Sequence, residues 1–216
     1  MSNLKLVAWS GGCDSTLALY EALRNQKTWV VEGEQRYEVR ALSINFSPVP
    51  QNAPQRAVRK RIKAALALRG LHFAHIELDL VANNNAFSDR ASQAVCWLAQ
   101  AQQYLCTGED LVTGWIRGDD VWHNIADLRA SFTSLNAACG RANSALETPL
   151  EWITKATVIK RLKAADLYDL TWWCENPRRV GRRFEQCKSN CVPCRTHATA
   201  LWQQKTFGPV LEDEGR

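Results

Sequence analysis

Apolar and polar positions alternate between two periods along the 216-residue chain. Leu4 to Trp9 is a short apolar run suited to a buried parallel strand. From Ser15 to about Asn25 the period lengthens, with Ala18 and Ala22, and Leu19 and Leu23, recurring four apart as on one helix face. The opening unit is therefore strand, Gly-rich loop, helix. Residues 28–37, TWVVEGEQRY, predict a strand with a turn at Gly33, and residues 39–46, VRALSINF, alternate as the next strand. Residues 47–54 read as a loop from Pro48, Pro50 and Pro54, followed by a helix from about Gln55 to Leu68 that stops near Gly70. FAHIELDL (73–80) predicts another strand, and residues 88–106 a long helix with Ser88 as its cap. DLVTGWI (110–116) predicts a strand ending near Gly114. Helices are expected over Asn124–Ala138, from about Thr154, and over Thr196–Gln204, and residues 209–216 are expected to fray.

Strands alternating with helices at these spacings predict an α/β chain, a parallel sheet with helices on both faces. In such sheets ligands bind beyond the carboxyl ends of the strands. Ser10-Gly11-Gly12-Cys13-Asp14-Ser15 sits at such an end, where a helix begins. Unpaired amides and the helix dipole favour an anion there. Gly11 and Gly12 allow close backbone approach, and Ser10, Ser15 and Thr16 add hydroxyls. The stretch reads as a phosphate cradle. It is neither the P-loop, which ends Gly-Lys-Ser/Thr, nor the G-x-G-x-x-G fingerprint. Asp14 would repel phosphate unless it holds Mg²⁺ or orients the loop through backbone hydrogen bonds.

No window approaches the ~18 consecutive apolar residues of a membrane span, and no signal peptide precedes the first strand. A soluble, cytoplasmic protein is the expectation. The formal net charge of +5 suits a nucleic acid, a nucleoside triphosphate or another anion. Positive charge gathers at Arg56, Arg59, Lys60 and Lys63, and again at Arg178, Arg179, Arg182 and Arg183; each group reads either as solvated surface or as anion-facing. Of eight cysteines, Cys174, Cys187, Cys191 and Cys194 fall within 21 positions. In a reducing compartment that spacing points to a metal site rather than disulfides. Four thiolates close a structural zinc site or hold an iron–sulfur cluster, and His197 is a substitute ligand or a surface or substrate-facing side chain.

The Ser10–Ser15 loop, after a first strand and opening a helix, resembles the pyrophosphate-binding loop of the N-type ATP pyrophosphatases. Both ends together resemble the 7-cyano-7-deazaguanine synthases. Thr171-Trp172-Trp173-Cys174 followed by Cys187, Cys191 and Cys194 parallels that family's closing Thr-Trp-Ser-Cys and cysteine triplet, with Trp173 in place of Ser and the triplet one residue longer, and Pro149, Leu150 and Lys155 parallel its Pro-Leu then Lys. The resemblance implies a three-layer, parallel-sheet PP-loop ATP pyrophosphatase fold (adenine nucleotide alpha hydrolase-like) over residues 1–170. Residues 171–216 would form a small four-cysteine zinc-binding extension packed on it. It implies ATP with Mg²⁺, a structural Zn²⁺ on Cys174, Cys187, Cys191 and Cys194, and conversion of 7-carboxy-7-deazaguanine and ammonia to the nitrile. ATP would contact Trp9, Ser10, Gly11, Gly12, Cys13, Asp14, Ser15, Thr16, Asn45 and Phe46, with Asp14 and Lys155 in the chemistry. Trp115, Trp122, Trp172 and Trp173 are candidate base stackers, and Asp119 and Asp120 candidate acceptors for a guanine-like amino edge. The resemblance also implies a homodimer and no direct nucleic-acid or membrane binding.

The middle of the chain departs from that family. Gln55-Arg56 is what corresponds to its Tyr-Gly-Gln-Arg, Arg90 is what remains of Val-Pro-x-Arg-Asn, and residues 118–132 replace Tyr-Pro-Asp-Cys-Arg without a clean match. Alternatives are a PP-loop enzyme that stops at the amide or acts in nucleic-acid modification or a conflict system, a tRNA-thiolating enzyme, and a non-catalytic nucleotide-binding module.

Overall fold

The computed structural model describes residues 4–26, 28–31, 34–47, 49–81, 90–141, 143–181, 183–188 and 190–207. The turn at Gly33, the Ser88 cap, Asp89, Arg182 and the tail from Gly208 lie outside the described residues, as does the side chain of Arg90.

Strand β1 (Leu4–Ala8) leads through the Gly-rich turn into α1 (Cys13–Arg24). An antiparallel pair, β2 (Thr28–Val31) and β3 (Glu34–Tyr37), precedes β4 (Val39–Ser47). Then come α2 (Asn52–Ala67), β5 (Ala74–Val81), α3 (Arg90–Gln102), β6 (Glu109–Val112), α4 (Ile125–Ala138), β7 (Leu146–Glu147) and α5 (Lys155–Ala164). A short pair, β8 (Arg178–Val180) and β9 (Arg183–Glu185), and α6 (Val192–Phe207) complete the chain.

The five-stranded sheet has the order β5-β4-β1-β6-β7, and every pair in it is parallel. Period-two alternation divides its side chains between two cores. Val7, Ala41 and Val112 pack with α1, α2 and α5, whereas Leu6, Leu42 and Leu111 pack with α3 and α4 on the other face. Helices thus cover both faces, as expected.

The chain winds outward from β1 through β4 to β5, then crosses back to β6 and β7. The order reverses between β1 and β6, and that switch point is where such sheets open a ligand crevice. β6 ends at Val112, two residues short of the predicted end near Gly114. α2 starts three residues early, with Pro54 in its first turn, where a missing N–H costs nothing. α6 begins at Val192, inside the Cys cluster. No helix of the described residues is long and apolar enough to cross a membrane.

Candidate functional site

The turn between β1 and α1 is shaped by its own side chains. Ser15 Oγ accepts from the Ser10 amide at 3.2 Å, Ser10 Oγ accepts from the Gly12 amide at 3.1 Å, and the two hydroxyls meet at 3.0 Å. Gly11 holds φ +89°, a conformation that favours glycine. A Cβ there would lie 3.0 Å from side-chain atoms of Val58 and Arg59 on α2. The first intrahelical bond of α1 runs from the Thr16 amide to the Gly12 carbonyl at 3.0 Å. The amides of Cys13, Asp14 and Ser15 therefore stand ahead of the ladder, at the positive end of the helix dipole.

Arg59 braces this turn from beneath. It is buried, donating from Nη1 to the Ser10 carbonyl and from Nη2 to Asn45 Oδ1 and Glu77 Oε1, each at 2.8 Å. Burial lowers its pKa, and Glu77 works in the opposite sense. The basic group on α2 is thus divided. Arg56 pairs with Glu77 and Asp79, Lys60 is exposed, and Arg59 is neither solvated nor anion-facing but a strut.

β6 supplies the opposite wall. A Cβ on Gly114 would sit 2.6 Å from the Ser15 amide nitrogen and 2.7 Å from the Asp14 carbonyl carbon, so the chain beyond β6 lies directly on the start of α1. Asp119 follows, its Oδ2 accepting from the Ile116 amide at 3.0 Å. Burial pushes its carboxyl up to about 6, with the Asp14 charge adding to the rise.

Lys155 opens α5, whose N-cap Thr154 accepts from the Thr157 amide. Its Nζ donates to Asp14 Oδ2 at 2.5 Å. Burial, the largest single effect, opposes the ammonium, but the charge and hydrogen bond of Asp14 together with the neighbouring Cys13 and Asp119 hold the Lys155 pKa above its ordinary value. The other Asp14 oxygen, Oδ1, is buried and has no hydrogen-bond partner among the described residues, leaving a lone pair available to a cation or a ligand donor. Burial raises the Cys13 thiol to about 11, and its Sγ lies 3.1 Å from Thr171 Oγ1, so it is not a thiolate at neutral pH.

These groups line a cleft of about 340 Å³. Ser10, Gly12, Asp14, Ser15, Asp119, Asp120 and Lys155 face it, with Trp115, Trp172 and Trp173 on its walls. Trp97 on α3, which periodicity alone assigns to an apolar helix face, lines it too. Trp122 stands elsewhere, its indole donating to the Glu151 carbonyl at 3.0 Å. Four of the residues expected at ATP keep their side chains inside the protein. Trp9 and Thr16 are fully buried and bond each other at 3.1 Å, Asn45 is committed to Arg59, and Phe46 is core.

The late cysteines converge. All four Sγ atoms lie within 4.8 Å of one another, with Cys187 at 3.5 Å from Cys191 and 3.7 Å from Cys194. A tetrahedral zinc with bonds near 2.3 Å separates its sulfurs by about 3.8 Å, so the donor set fits a closed site. Cys174, Cys187 and Cys194 belong to the same core as Val7 and Leu17. The segment ahead of them meets the turn, with the Trp172 amide donating to the Gly11 carbonyl at 3.0 Å. His197 is not a surface group. It is buried, its ring stacked on Trp173 at 3.7 Å between centroids, and its Nε2 lies 2.6 Å from the Tyr168 hydroxyl.

Scanned against models of known families, the chain matches none, and a search of curated proteins finds no matching relative.

Proposed function

We propose that this chain is an ATP-dependent enzyme of the PP-loop ATP pyrophosphatase type, converting 7-carboxy-7-deazaguanine and ammonia to 7-cyano-7-deazaguanine. The observation that carries the reading is the placement of Ser10–Ser15 at the β1/β6 switch point with Lys155 bonded to Asp14. Donors and a cation converge where a leaving pyrophosphate would need them.

In this reading the β and γ phosphates lie on the amides that open α1. A magnesium ion, when bound, offsets charge on the phosphates, and Asp14 Oδ1 is the ligand on offer. The substrate carboxylate attacks the α phosphorus, an O–P bond forms and pyrophosphate leaves. Lys155 stabilises charge that develops during this step. Ammonia then attacks the acyl carbon, AMP leaves and a proton is released, giving the amide. A second ATP takes the amide oxygen onto its α phosphorus with loss of pyrophosphate. Departure of AMP with the two amide protons leaves the nitrile. Asp119, with its raised pKa, is placed to accept a proton in the cleft. Trp173, backed by His197, offers a flat surface to a heteroaromatic base. The work is positioning and electrostatic stabilisation, which a cleft of this kind can supply.

The test is incubation with 7-carboxy-7-deazaguanine, ammonium and Mg-ATP, with nucleotides resolved by chromatography and the base by mass. AMP, pyrophosphate and the nitrile are expected. Accumulation of the amide alone would place the enzyme at the first half of the sequence, and release of ADP would end the reading.

A further inference from the structure

The segment between Cys174 and Cys187 is absorbed neither by the cleft chemistry nor by the core. It forms the ribbon β8–β9, in which Arg178 pairs with Glu185, Arg179 with Phe184 and Val180 with Arg183, and all six residues are exposed. Val180 and Phe184 expose 52% and 38% of their surface. Residues 178–185 hold four arginines against one glutamate, +3 of a formal +5 for the whole chain.

A three-residue-per-strand ribbon is marginal by itself. Here its base is pinned, because Cys174 and Cys187 both belong to the sulfur cluster and the Cys187 amide donates to Cys174 Sγ at 3.2 Å. The ribbon also has an address. Trp173 and Glu175, on either side of Cys174, line the cleft, so the ribbon rises from the cleft rim.

Arginine forks bind phosphate bidentately, which lysine does not do. Arg179 and Phe184 are directly opposed across the ribbon and share one face, with an aromatic surface beside a guanidinium. That pairing suits a phosphodiester chain whose bases are unstacked. A duplex keeps its bases stacked and gives Phe184 nothing to cover. An acidic polypeptide answers the charge but not the ring.

We propose that the Cys-pinned ribbon β8–β9 at the rim of the cleft is a docking surface for single-stranded nucleic acid, held by Arg179 and Phe184 on one face, with Arg178 and Arg183, which the register places on the opposite face, meeting phosphates where the strand passes round the ribbon's edge. This reverses the sequence-based expectation of no direct nucleic-acid binding. The surface stands whether or not the cleft adenylates a base.

Fluorescence anisotropy on the full chain tests it, using labelled oligouridylate and oligothymidylate, a duplex of the same length and a poly-glutamate peptide, between 50 and 200 mM salt (about one decade of affinity is expected across that range for three phosphate contacts). Single strands should bind at least tenfold more tightly than the other two, with a log–log salt slope of about −2. The triple variant Arg178→Ala, Arg179→Ala, Arg183→Ala should lose that slope, and the triple lysine variant should keep it at reduced affinity. Phe184→Ala should weaken binding by roughly five- to a hundredfold with the slope unchanged. Metal content and melting temperature equal to wild type establish that each variant is folded. No single-strand binding at 50 mM salt, binding indifferent to the triple alanine variant, or equal capture of poly-glutamate would each overturn the proposal. Absence of AMP-forming activity with binding intact counts against the enzymatic reading alone.

Discussion

Arg59 Nη1 donates to the Ser10 carbonyl at 2.8 Å from a side chain that is 2% exposed, so a buried cation on α2 fixes the turn that follows β1. Holding that carbonyl inward leaves the neighbouring amides facing the cleft. Arg59→Met keeps most of the bulk and removes the hydrogen bonds to Ser10, Asn45 and Glu77. The stranded acceptors should cost about 2–4 kcal/mol of stability, measured by urea unfolding. ATP affinity should fall at least tenfold by calorimetry. Arg59→Lys, a point charge, cannot reach all three acceptors and should lie between. Unaltered ATP affinity in a folded methionine variant would show that the turn holds its shape without this strut.

The apolar run at Leu4–Trp9 and the pattern over residues 39–46 placed the central strands, and the alternation of strands with helices called for helices on both faces, which Val7 and Ala41 in one core and Leu6 and Leu42 in the other bear out. β7 escaped because two residues, Leu146 and Glu147, carry no period, and what makes them a strand is backbone pairing with Leu111 and Val112. β8 and β9 escaped for a related reason, since an exposed ribbon has no buried face to imprint a pattern. In the site, Ser10–Ser15 was legible because glycine and hydroxyl chemistry is local. Arg59 was not, since its place in a run of basic residues on α2 says nothing about which one turns under the sheet. The family resemblance lists Trp9 and Thr16 among the ATP contacts, while in the structure each satisfies the other's polar group within the core.

Gly114 carries no left-handed backbone conformation, so its role is contact alone. Gly114→Ala would place a methyl group 2.6–2.7 Å from backbone atoms of Asp14 and Ser15, which cannot rotate away. Either α1 or the chain after β6 must shift. We expect a stability loss of about 1–3 kcal/mol by denaturant titration. Loss of ATP binding should exceed what that change in folding accounts for. A stable alanine variant with normal ATP affinity would mean the two walls can part without harm.

Lys155 and Asp14 form an ion pair beside the cleft, so single and double variants should not add. Lys155→Met should lower AMP formation by roughly a hundred- to a thousandfold, as when one stabilising donor is lost. Asp14→Asn leaves the Lys155 ammonium without its carboxylate and should depress the same rate. The double variant should be little worse than the poorer single one, the signature of a coupled pair. Additive losses would separate their roles.

Removal of the metal should act on the whole fold rather than on its last residues. Cys174, Cys187 and Cys194 share a core with α1, and the Trp172 amide holds the Gly11 carbonyl. One zinc per chain is expected by elemental analysis. Stripping it with a chelator should lower a single calorimetric transition by several degrees and weaken ATP binding in parallel. A second, separate low-temperature transition would show that the Cys-bearing region melts independently of the sheet. An iron signal in place of zinc would reassign the centre.

Acid should destabilise the fold through two buried histidines, His75 and His197, each held below its ordinary value first by burial. Ser43 Oγ donates to the Trp9 carbonyl, so its contact with His75 Nε2 at 2.9 Å requires that nitrogen to carry the proton it donates. Burial, and then the Arg59 charge, bring the imidazole down to about 4. The unfolded chain takes up a proton near 6.5 and the folded one does not until about 4, so stability falls as pH drops through that window. The slope from each histidine is about 1.4 kcal/mol per pH unit while only the unfolded state is protonated, and above 6.5 this loss is absent. Asp119 has the opposite sign. Its folded pKa near 6 exceeds its ordinary value, so the native state holds the extra proton and gains stability as pH falls toward about 4. His75→Gln retains a donor for Ser43 without a titration and should roughly halve the acid limb between about pH 6.5 and 4.5, the rest coming from His197, whose imidazole burial brings down to about 3. Asp119→Asn should steepen it below about 6, because the opposing gain is gone. Urea unfolding at half-unit steps of pH separates the two, and a glutamine variant that keeps the full wild-type slope would remove His75 from the account.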